Sequence, residues 1–120
     1  PTDAPVFATT DAELRAAVEG ASSGETIVVK NDIDLTGPLW FPEGLVGVVL
    51  RGEVPGTTLA GDGTFRLVAV VGTELVLEDL VLTGGYSEST GAAVAVVEGK
   101  LWAKRCTFRL NRAHGSGGAV

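Results

Sequence analysis

The chain has 120 residues and a formal net charge of −6, which leaves room for one domain with one hydrophobic core. The acidic balance argues against nucleic acid as a partner, because such binding needs a basic patch, and no apolar run reaches the ~18 residues of a membrane-spanning helix. The 17 glycines, about twice the average share of ~7%, favour an all-β chain with many tight turns.

The N-terminal residues predict an irregular lead-in over 1–9 and a short amphipathic helix over 10–20. Thr10 and Glu13 have the spacing of a capping box, in which each side chain bonds the backbone at the other residue. Apolar residues then recur on one helical face, and a glycine- and serine-rich run ends the helix.

After Gly24 the apolar period changes from that of a helix to the alternation of strands. Short strands are predicted at 46–50, 57–59, 65–71, 75–77, 80–82, 93–97, 101–103 and 107–108. Glycine, proline and charged residues separate them. No second helical pattern occurs in the sequence, so alternating strand–helix–strand units are not expected.

The stretch from Glu74 to Val120 contains two copies of one unit, offset by 26 positions. The inward positions Leu75, Leu77, Leu80 and Leu82 recur as Leu101, Ala103, Cys106 and Phe108. A strand, a polar corner and a second strand, all with apolar residues on one side, describe one wall of a tube that turns a corner. A repeat of this length is typical of a solenoid.

Opposite charges recur at the same offset, in the pairs Glu74–Lys100, Glu78–Lys104 and Asp79–Arg105. Neighbouring strands lie ~4.8 Å apart, so like charges stacked at these positions would repel each other. The sign-matched pairs therefore predict that successive turns stack directly, in parallel and in register.

These patterns predict a right-handed parallel β-helix of about four turns, with boundaries near residues 25, 47, 73 and 99 and an incomplete last turn. Antiparallel hairpins do not fit, because matching positions recur in the same chain direction. Ile27 and Val29 precede Val48 and Leu50 by only 21 positions, so the first turn is expected to be tighter than the later ones.

Residues 1–120 are interpreted as a single β-helix domain or fragment, with the capping helix at 10–20 and the turns over 25–120. The helix is expected to cover the apolar end of the first turn, because an open end exposes the core and unpaired strand edges. The chain has no methionine, so residue 1 is not expected to be a natural start. At the other end no cap is predicted and the sequence stops within a strand signal, so we expect the solenoid to continue beyond Val120 in a parent chain, or a partner to cover its open end.

One pair of tetrapeptides carries a family resemblance. Phe108-Arg109-Leu110-Asn111, followed by Gly117-Gly118-Ala119-Val120, has the form FxxN … GGA[ILV]. This resembles the repeats of the polymorphic outer membrane proteins of chlamydiae, and of related right-handed parallel β-helix proteins of the pectin-lyase-like type. The resemblance implies a secreted protein or one at the outer membrane and cell surface, with a role in adhesion or as a passenger-like stalk.

The motif residues have structural explanations. Phe108 is expected to fill the tube. Asn111 stands where the chain leaves the strand, and asparagine tolerates the left-handed conformation and can bond its own backbone. Gly85, at the matching place one turn earlier, tolerates that conformation too. Gly117 and Gly118 would let the chain turn tightly before Ala119 and Val120 begin the next strand.

Four other features are interpreted structurally. Cys106 is expected to be a buried small hydrophobe, and His114 a solvated loop residue without a second histidine to complete a metal site. Gly61-Asp62-Gly63 is interpreted as a turn, because one carboxylate cannot supply the six to eight oxygens that calcium needs. Asp79 and Arg105 are interpreted as a surface ion pair and not as the calcium ligand and base of a polysaccharide lyase.

The aromatic residues Trp40, Phe41 and Trp102 are candidates for a platform that stacks on a sugar ring. Trp102 alternates with the inward Leu101 and Ala103, so its side chain should face outward. An exposed tryptophan on a flat β-face is a candidate contact for a carbohydrate or a protein. Trp102 is therefore the one possible ligand contact that the sequence indicates.

The function that the sequence favours is a non-catalytic segment of a secreted or cell-surface protein, with loops at 83–91 and 110–117 presented from a rigid solenoid. No catalytic, metal or cofactor residues are predicted. The expected partner is a carbohydrate or a protein at a cell surface. The alternative is a partial or degenerate carbohydrate-active enzyme of the pectin-lyase-like fold, and an in-line cluster of carboxylates would distinguish the two.

Overall fold

Short strands make up most of the structure. The computed structural model describes residues 5–88 and 91–113. Within these residues there is one helix, α1 (Asp11–Glu19). The strands are β1 (Val6–Ala8), β2 (Thr26–Val29), β3 (Ile33–Asp34), β4 (Leu39–Trp40), β5 (Val48–Gly52), β6 (Thr57–Ala60), β7 (Val68–Val71), β8 (Glu74–Glu78), β9 (Leu80–Thr83), β10 (Tyr86–Ser87), β11 (Val94–Val97), β12 (Lys100–Lys104), β13 (Thr107–Arg109) and β14 (Arg112–Ala113).

The strands stack into sheets in which every neighbour is parallel. The long sheet has the order β1-β2-β5-β8-β12, the second sheet β3-β6-β9-β13 and the third sheet β4-β7-β11, and β10 pairs with β14. From β2 onward, successive strands of the chain lie in different sheets, and each of the three larger sheets gains one strand per turn. The predicted all-β solenoid is confirmed, as a β-solenoid of about three turns.

The register between the last two turns agrees with the predicted offset. Leu101 pairs with Leu75 and Ala103 with Leu77 in the long sheet. Phe108 pairs with Leu82 in the second sheet. One turn earlier, the long sheet keeps the 27-residue offset that pairs Val48 with Leu75 and Leu50 with Leu77. Identical or similar apolar side chains therefore stack above one another inside the tube.

The predicted register of the first turn is wrong. Ile27 pairs with Leu50 and Val29 with Gly52, so the offset is 23 residues and not 21. A shift of two residues keeps every side chain on its own face of the sheet. The alternation of apolar residues therefore could not distinguish the two registers, although the first turn is shorter than the 26-residue repeat, as expected.

The N-terminal cap consists of a helix and a strand. Leu14 and Val18 of α1 have no exposed surface and join the core cluster. The predicted irregular lead-in is wrong in part, because β1 pairs in parallel with β2 and adds an outer strand to the long sheet. The start of the helix also differs in detail. Thr10 accepts from the Glu13 N–H at 3.2 Å, but the Glu13 carboxylate accepts from the backbone and hydroxyl of Thr9, at 2.7 and 2.6 Å.

An ionic clamp attaches the helix to the first turn. The Arg15 guanidinium donates to the carbonyl oxygens of Gly37 and Pro38, at 3.1 and 2.7 Å. It also pairs with Asp11 at 3.1 Å, and Asp11 in turn accepts from the backbone and hydroxyl of Thr36. Burial raises the pKa of Asp11, but the bonds from Arg15 and Thr36 outweigh it, so the pKa lies below its usual value.

The core fills the tube between the sheets. Its fully buried members include Ile27, Leu50, Leu59, Leu75, Leu77, Leu80 and Leu82. The equivalent residues of the last turn, Leu101, Cys106 and Phe108, pack against this core but are only partly buried. The inward direction predicted for Phe108 is therefore confirmed, and the packing is less complete in the last turn than in the turn before it.

Candidate functional site

Three corners of the tube repeat a left-handed backbone conformation at the 26-residue offset. The matched positions are Asp79 and Arg105 (φ 55° each), Gly84 and Leu110 (φ 76° and 56°), and Gly72 and Glu98 (φ 64° and 53°). A non-glycine residue in this conformation costs roughly 1–2 kcal/mol. The path of the backbone at these corners is thus copied from one turn to the next even where the residue type changes.

The corner at Asp79 and Arg105 forms the ion pair that the sequence predicted. Arg105 Nε and Nη2 donate to the two carboxylate oxygens of Asp79 at 2.6 and 3.2 Å. The hydrogen bond from Arg105 is the main reason that the pKa of Asp79 lies below its usual value, and the same bond raises the pKa of Arg105. A carboxylate held in this way is a structural partner of the guanidinium, which agrees with the ion-pair interpretation.

The neighbouring charge pairs follow the same register. Lys104 Nζ lies 4.0 Å from Glu78 Oε2. Lys100 pairs with Glu74 in the β-ladder, but these two described side chains form no ion pair within 4.0 Å. The predicted stacking of opposite charges is confirmed as ladder register for Glu74–Lys100 and Glu78–Lys104, and as a direct ionic contact for Glu78–Lys104 and Asp79–Arg105.

The conformation predicted for Asn111 is wrong. The left-handed residue at this corner is the preceding one, Leu110, and one turn earlier it is Gly84 and not Gly85. The Asn111 side chain does not bond its own backbone but bonds the turn beneath it. Its Oδ1 accepts from the Gly85 N–H at 2.8 Å, and its Nδ2 donates to the Leu82 carbonyl at 3.0 Å. Asn111 therefore links two turns.

Gly85 is glycine for a steric reason that the sequence did not indicate. A Cβ at this position would lie 2.3 Å from the Ala92 carbonyl oxygen and 2.8 Å from Asn111 Oδ1. The backbone of residue 85 is thus in close contact with both its own turn and the amide that bonds it. Asparagine in one turn and glycine in the turn below act together as one inter-turn contact.

The aromatic platform does not form. Trp40 lies in the third sheet and Trp102 in the long sheet, so they stand on different walls of the tube. Phe41 is a core residue with 4% of its surface exposed. Trp102 itself faces outward as predicted, with 46% exposed. The outward tryptophan of the long sheet therefore stands without the other two aromatic residues.

Trp102 ends an outward-facing apolar column on the long sheet. The ladder aligns Trp102 with Val76 and Val76 with Val49, one residue from each successive turn. Both valines are half-buried. On β12, Lys100 and Lys104 have the same parity as Trp102 and therefore share its face. The column is thus a flat apolar strip that ends in an indole flanked by two ammonium groups, an arrangement suited to stacking contacts with a sugar ring or an apolar side chain.

Cys106 is less buried than predicted. It is a free thiol of intermediate exposure that packs against the core, and its Sγ lies 3.4 Å from the Lys104 carbonyl oxygen. Burial is the main cause that raises the pKa of this thiol. A thiol with a raised pKa holds little thiolate at neutral pH, so the structural interpretation of Cys106 stands.

The turn predicted at Gly61-Asp62-Gly63 is confirmed. Asp62 Oδ1 accepts from the backbone and hydroxyl of Thr64, and Gly63 is left-handed with φ 87°. The described residues contain no group of three or more side chains suited to a metal ion. His114 and the motif residues Gly117, Gly118, Ala119 and Val120 lie outside the described part of the chain.

The sequence did not indicate the shallow hollow that lies between the second and third sheets. Arg66 donates from Nε to the Gly91 carbonyl at 2.9 Å and from Nη2 to Ser87 Oγ at 2.9 Å. Phe65, Tyr86 and Glu88 also line this hollow. The guanidinium ties the middle and the end of the 83–91 loop to the segment that leads into β7 of the third sheet, so it acts as a structural brace.

Comparisons with protein-family models, with curated proteins and with solved structures find no match to this chain. None of the described helices has the length and apolar character needed to cross a membrane.

Proposed function

We propose that the chain is a non-catalytic segment of a secreted or cell-surface protein, and that it contributes to adhesion by presenting an outward face and loops from a rigid solenoid. We further propose that the solenoid is a right-handed parallel β-helix of the pectin-lyase-like type, with about four turns of which the last is incomplete. The resemblance of the FxxN … GGA[ILV] pair to the repeats of polymorphic outer membrane proteins supports this family.

The exposed Trp102 is the observation that supports the adhesion role best. It stands at the end of an apolar column with Val76 and Val49, on a sheet whose other face is packed into the core. Burial of an aromatic side chain is a frequent source of binding energy at interfaces. The three residues of the column lie on strands that are already paired in one sheet. The column can therefore make such a contact without any rearrangement of the backbone.

The loops are held close to the tube at their starts. β10 and β14 pair in parallel, with Tyr86 next to Arg112 and Ser87 next to Ala113. Residues 86–87 and 112–113 of the 83–91 and 110–117 loops therefore lie side by side. A contact that spans both of these segments would bury more surface than a contact with either one alone.

The test is a binding assay on immobilised glycans and on cultured cell surfaces with the labelled chain. Trp102→Ala should weaken binding about tenfold, which corresponds to ~1.4 kcal/mol. Trp40→Ala is the matched control, because Trp40 is 53% exposed but stands on another sheet. The control should bind as the unchanged chain does.

Two results would count against the proposal. Binding no stronger than that of an unrelated protein of equal charge would remove the adhesive role, and equal losses with the two tryptophan variants would remove the role of the column. Release of products from polygalacturonate, with or without calcium, would favour the rival carbohydrate-active enzyme.

A further inference from the structure

The corner between the second and third sheets lengthens from turn to turn. It spans residues 35–38 between β3 and β4, residues 61–67 between β6 and β7, and residues 84–93, which include β10, between β9 and β11. The three corners therefore hold four, seven and ten residues in succession. A longer corner has more chain to place outside the tube, so the second and third corners can wall a space that the short first corner leaves open.

The hollow between the second and third sheets occupies this place. It is lined by Pro38 of the first corner, Phe65 and Arg66 of the second, and Tyr86 and Ser87 of the third. Its volume is about 380 Å³, at the lower end of the range of about 300–1,000 Å³ for small-molecule pockets. Because β14 of the following turn pairs with β10, the hollow lies within the stack of described turns and not at either end of it.

The lining combines apolar rings with hydrogen-bonding groups. The rings of Pro38, Phe65 and Tyr86 are half-buried. Arg66 supplies a guanidinium, and Glu88 supplies an exposed carboxylate. A pyranose ring needs both kinds of contact, because its C–H face packs on aromatic rings while its hydroxyl groups donate and accept hydrogen bonds. The chemistry of the lining therefore fits a sugar ring.

Hydrogen bonds between the corners hold the hollow in shape. Arg66 donates from Nε to the Gly91 carbonyl and from Nη2 to Ser87 Oγ, both at 2.9 Å. The Tyr86 N–H donates to the Phe65 carbonyl at 2.8 Å, which fixes the two aromatic residues relative to each other. A site that is already fixed pays little conformational entropy when a ligand enters.

We propose that this hollow binds a single pyranose unit of an uncharged sugar. Phe65 and Tyr86 would pack on the C–H face of the ring. The charges of Arg66 and Glu88 offset each other in the lining, and the chain as a whole has a net charge of −6, so an uncharged sugar is favoured over a uronic acid. The hollow and Trp102 stand on different walls of the solenoid, and this inference does not depend on the adhesive role of Trp102.

The test is a titration of the isotope-labelled chain with methyl β-glucopyranoside and methyl β-galactopyranoside, followed by amide chemical shifts. A ligand of this size makes few contacts, so a Kd of about 1 mM is expected for at least one of the two sugars. The largest shifts should fall on residues 64–66 and 86–88. The matched uronic acid, methyl β-glucuronide, should bind at least about threefold more weakly than the glucopyranoside.

Variants of the chain locate the site. Tyr86→Ala should weaken pyranoside binding about tenfold, whereas Tyr86→Phe keeps the ring and should bind within about twofold of the unchanged chain. Trp102→Ala is the control, because it removes an exposed aromatic residue from another wall, and it should leave the Kd unchanged. The amide spectrum of each variant also shows whether it is folded, and the titration of the unchanged chain needs no variant.

Four results would overturn the proposal. They are the absence of a saturable shift at about 50 mM of either pyranoside, ~50 times the expected Kd, shifts confined to residues outside the hollow, equal affinity of Tyr86→Ala and the unchanged chain, and tighter binding of the glucuronide than of both uncharged sugars. The last result would assign the hollow to an anion. None of these results bears on the adhesion assay with Trp102→Ala, so the two proposals can fail separately.

Discussion

Asn111 is expected to stabilise the solenoid through its side-chain bonds to the turn beneath. Asn111→Gly removes the bonds to Gly85 and Leu82, at 2.8 and 3.0 Å. A typical hydrogen bond contributes about 0.5–1.5 kcal/mol net, so the loss of both bonds should lower the free energy of unfolding by ~1–3 kcal/mol. Asn111→Val should cost more, about 2–4 kcal/mol, because its branched side chain keeps water from the two orphaned backbone groups.

Leu110→Gly is the matched control at the adjacent position. Leu110 is left-handed and 80% exposed. Glycine should relieve about 1 kcal/mol of backbone strain, but the greater conformational entropy of its unfolded chain should cost a similar free energy. The free energy of unfolding should therefore change by less than about 0.5 kcal/mol.

Urea unfolding followed by circular dichroism would measure all three variants. In thermal melts each lost kcal/mol should lower the melting temperature by about 3–6 °C for a chain of this size. A near-neutral Asn111→Gly together with a costly Leu110→Gly would refute the reasoning. That outcome would mean that Asn111 contributes to stability through a left-handed backbone conformation, as the sequence alone suggested, and not through its side-chain amide.

Two further predictions concern the corners. Gly85→Ala should destabilise the fold by about 1–3 kcal/mol, because its Cβ would meet the Ala92 carbonyl oxygen at 2.3 Å, whereas Gly37→Ala, with no atom within 4 Å, should be neutral in the same urea titration. Equal effects would contradict the close contact. Asp79→Asn keeps a residue that tolerates φ 55° but removes the charge that Arg105 binds. Because the folded state lowers the pKa of Asp79, its stabilisation is complete above the unfolded pKa and is lost as the pH falls below about 4. The melting temperature of Asp79→Asn should therefore be lower than that of the unchanged chain at pH 7 and approach it in acid, and a difference that is independent of pH would contradict the role of this carboxylate.

The sequence predicted the solenoid because its strongest signals come from residues that repeat. Leu75 and Leu101 share a residue type, a face and a position within the unit, and the structure pairs them. The helix was predictable because its signal is local: Thr10 caps the helix by accepting from the Glu13 N–H, three residues later in the chain. Patterns that are either strictly periodic or strictly local could therefore be interpreted without coordinates.

The contacts that sequence analysis missed are neither periodic nor local. The Asn111 amide reaches a carbonyl 29 residues earlier, and the residue beneath it is glycine because of that approach. β1 was missed because three residues form a strand there only by pairing with β2. Trp40 and Trp102 look like partners in a list of aromatic residues, but the sheet assignment that separates them depends on the whole path of the turn.

Charge and apolar periodicity set the register of stacked turns with different precision. A ladder of alternating apolar residues is unchanged by a slip of two positions, and this is the error made for Ile27, which pairs with Leu50 instead of Val48.

Ion pairs do not allow such a slip. Lys30 lies 3.6 Å from Glu53, and this pair has the 23-residue offset of the observed register. Between the last two turns the pairs with Lys104 and Arg105 likewise share one offset with the ladder. Exposed ion pairs contribute little to stability, at a median of about 0–1 kcal/mol. Since each misaligned turn would lose its ion pairs, we infer that these side chains matter for selecting one register among several that bury the same apolar surface.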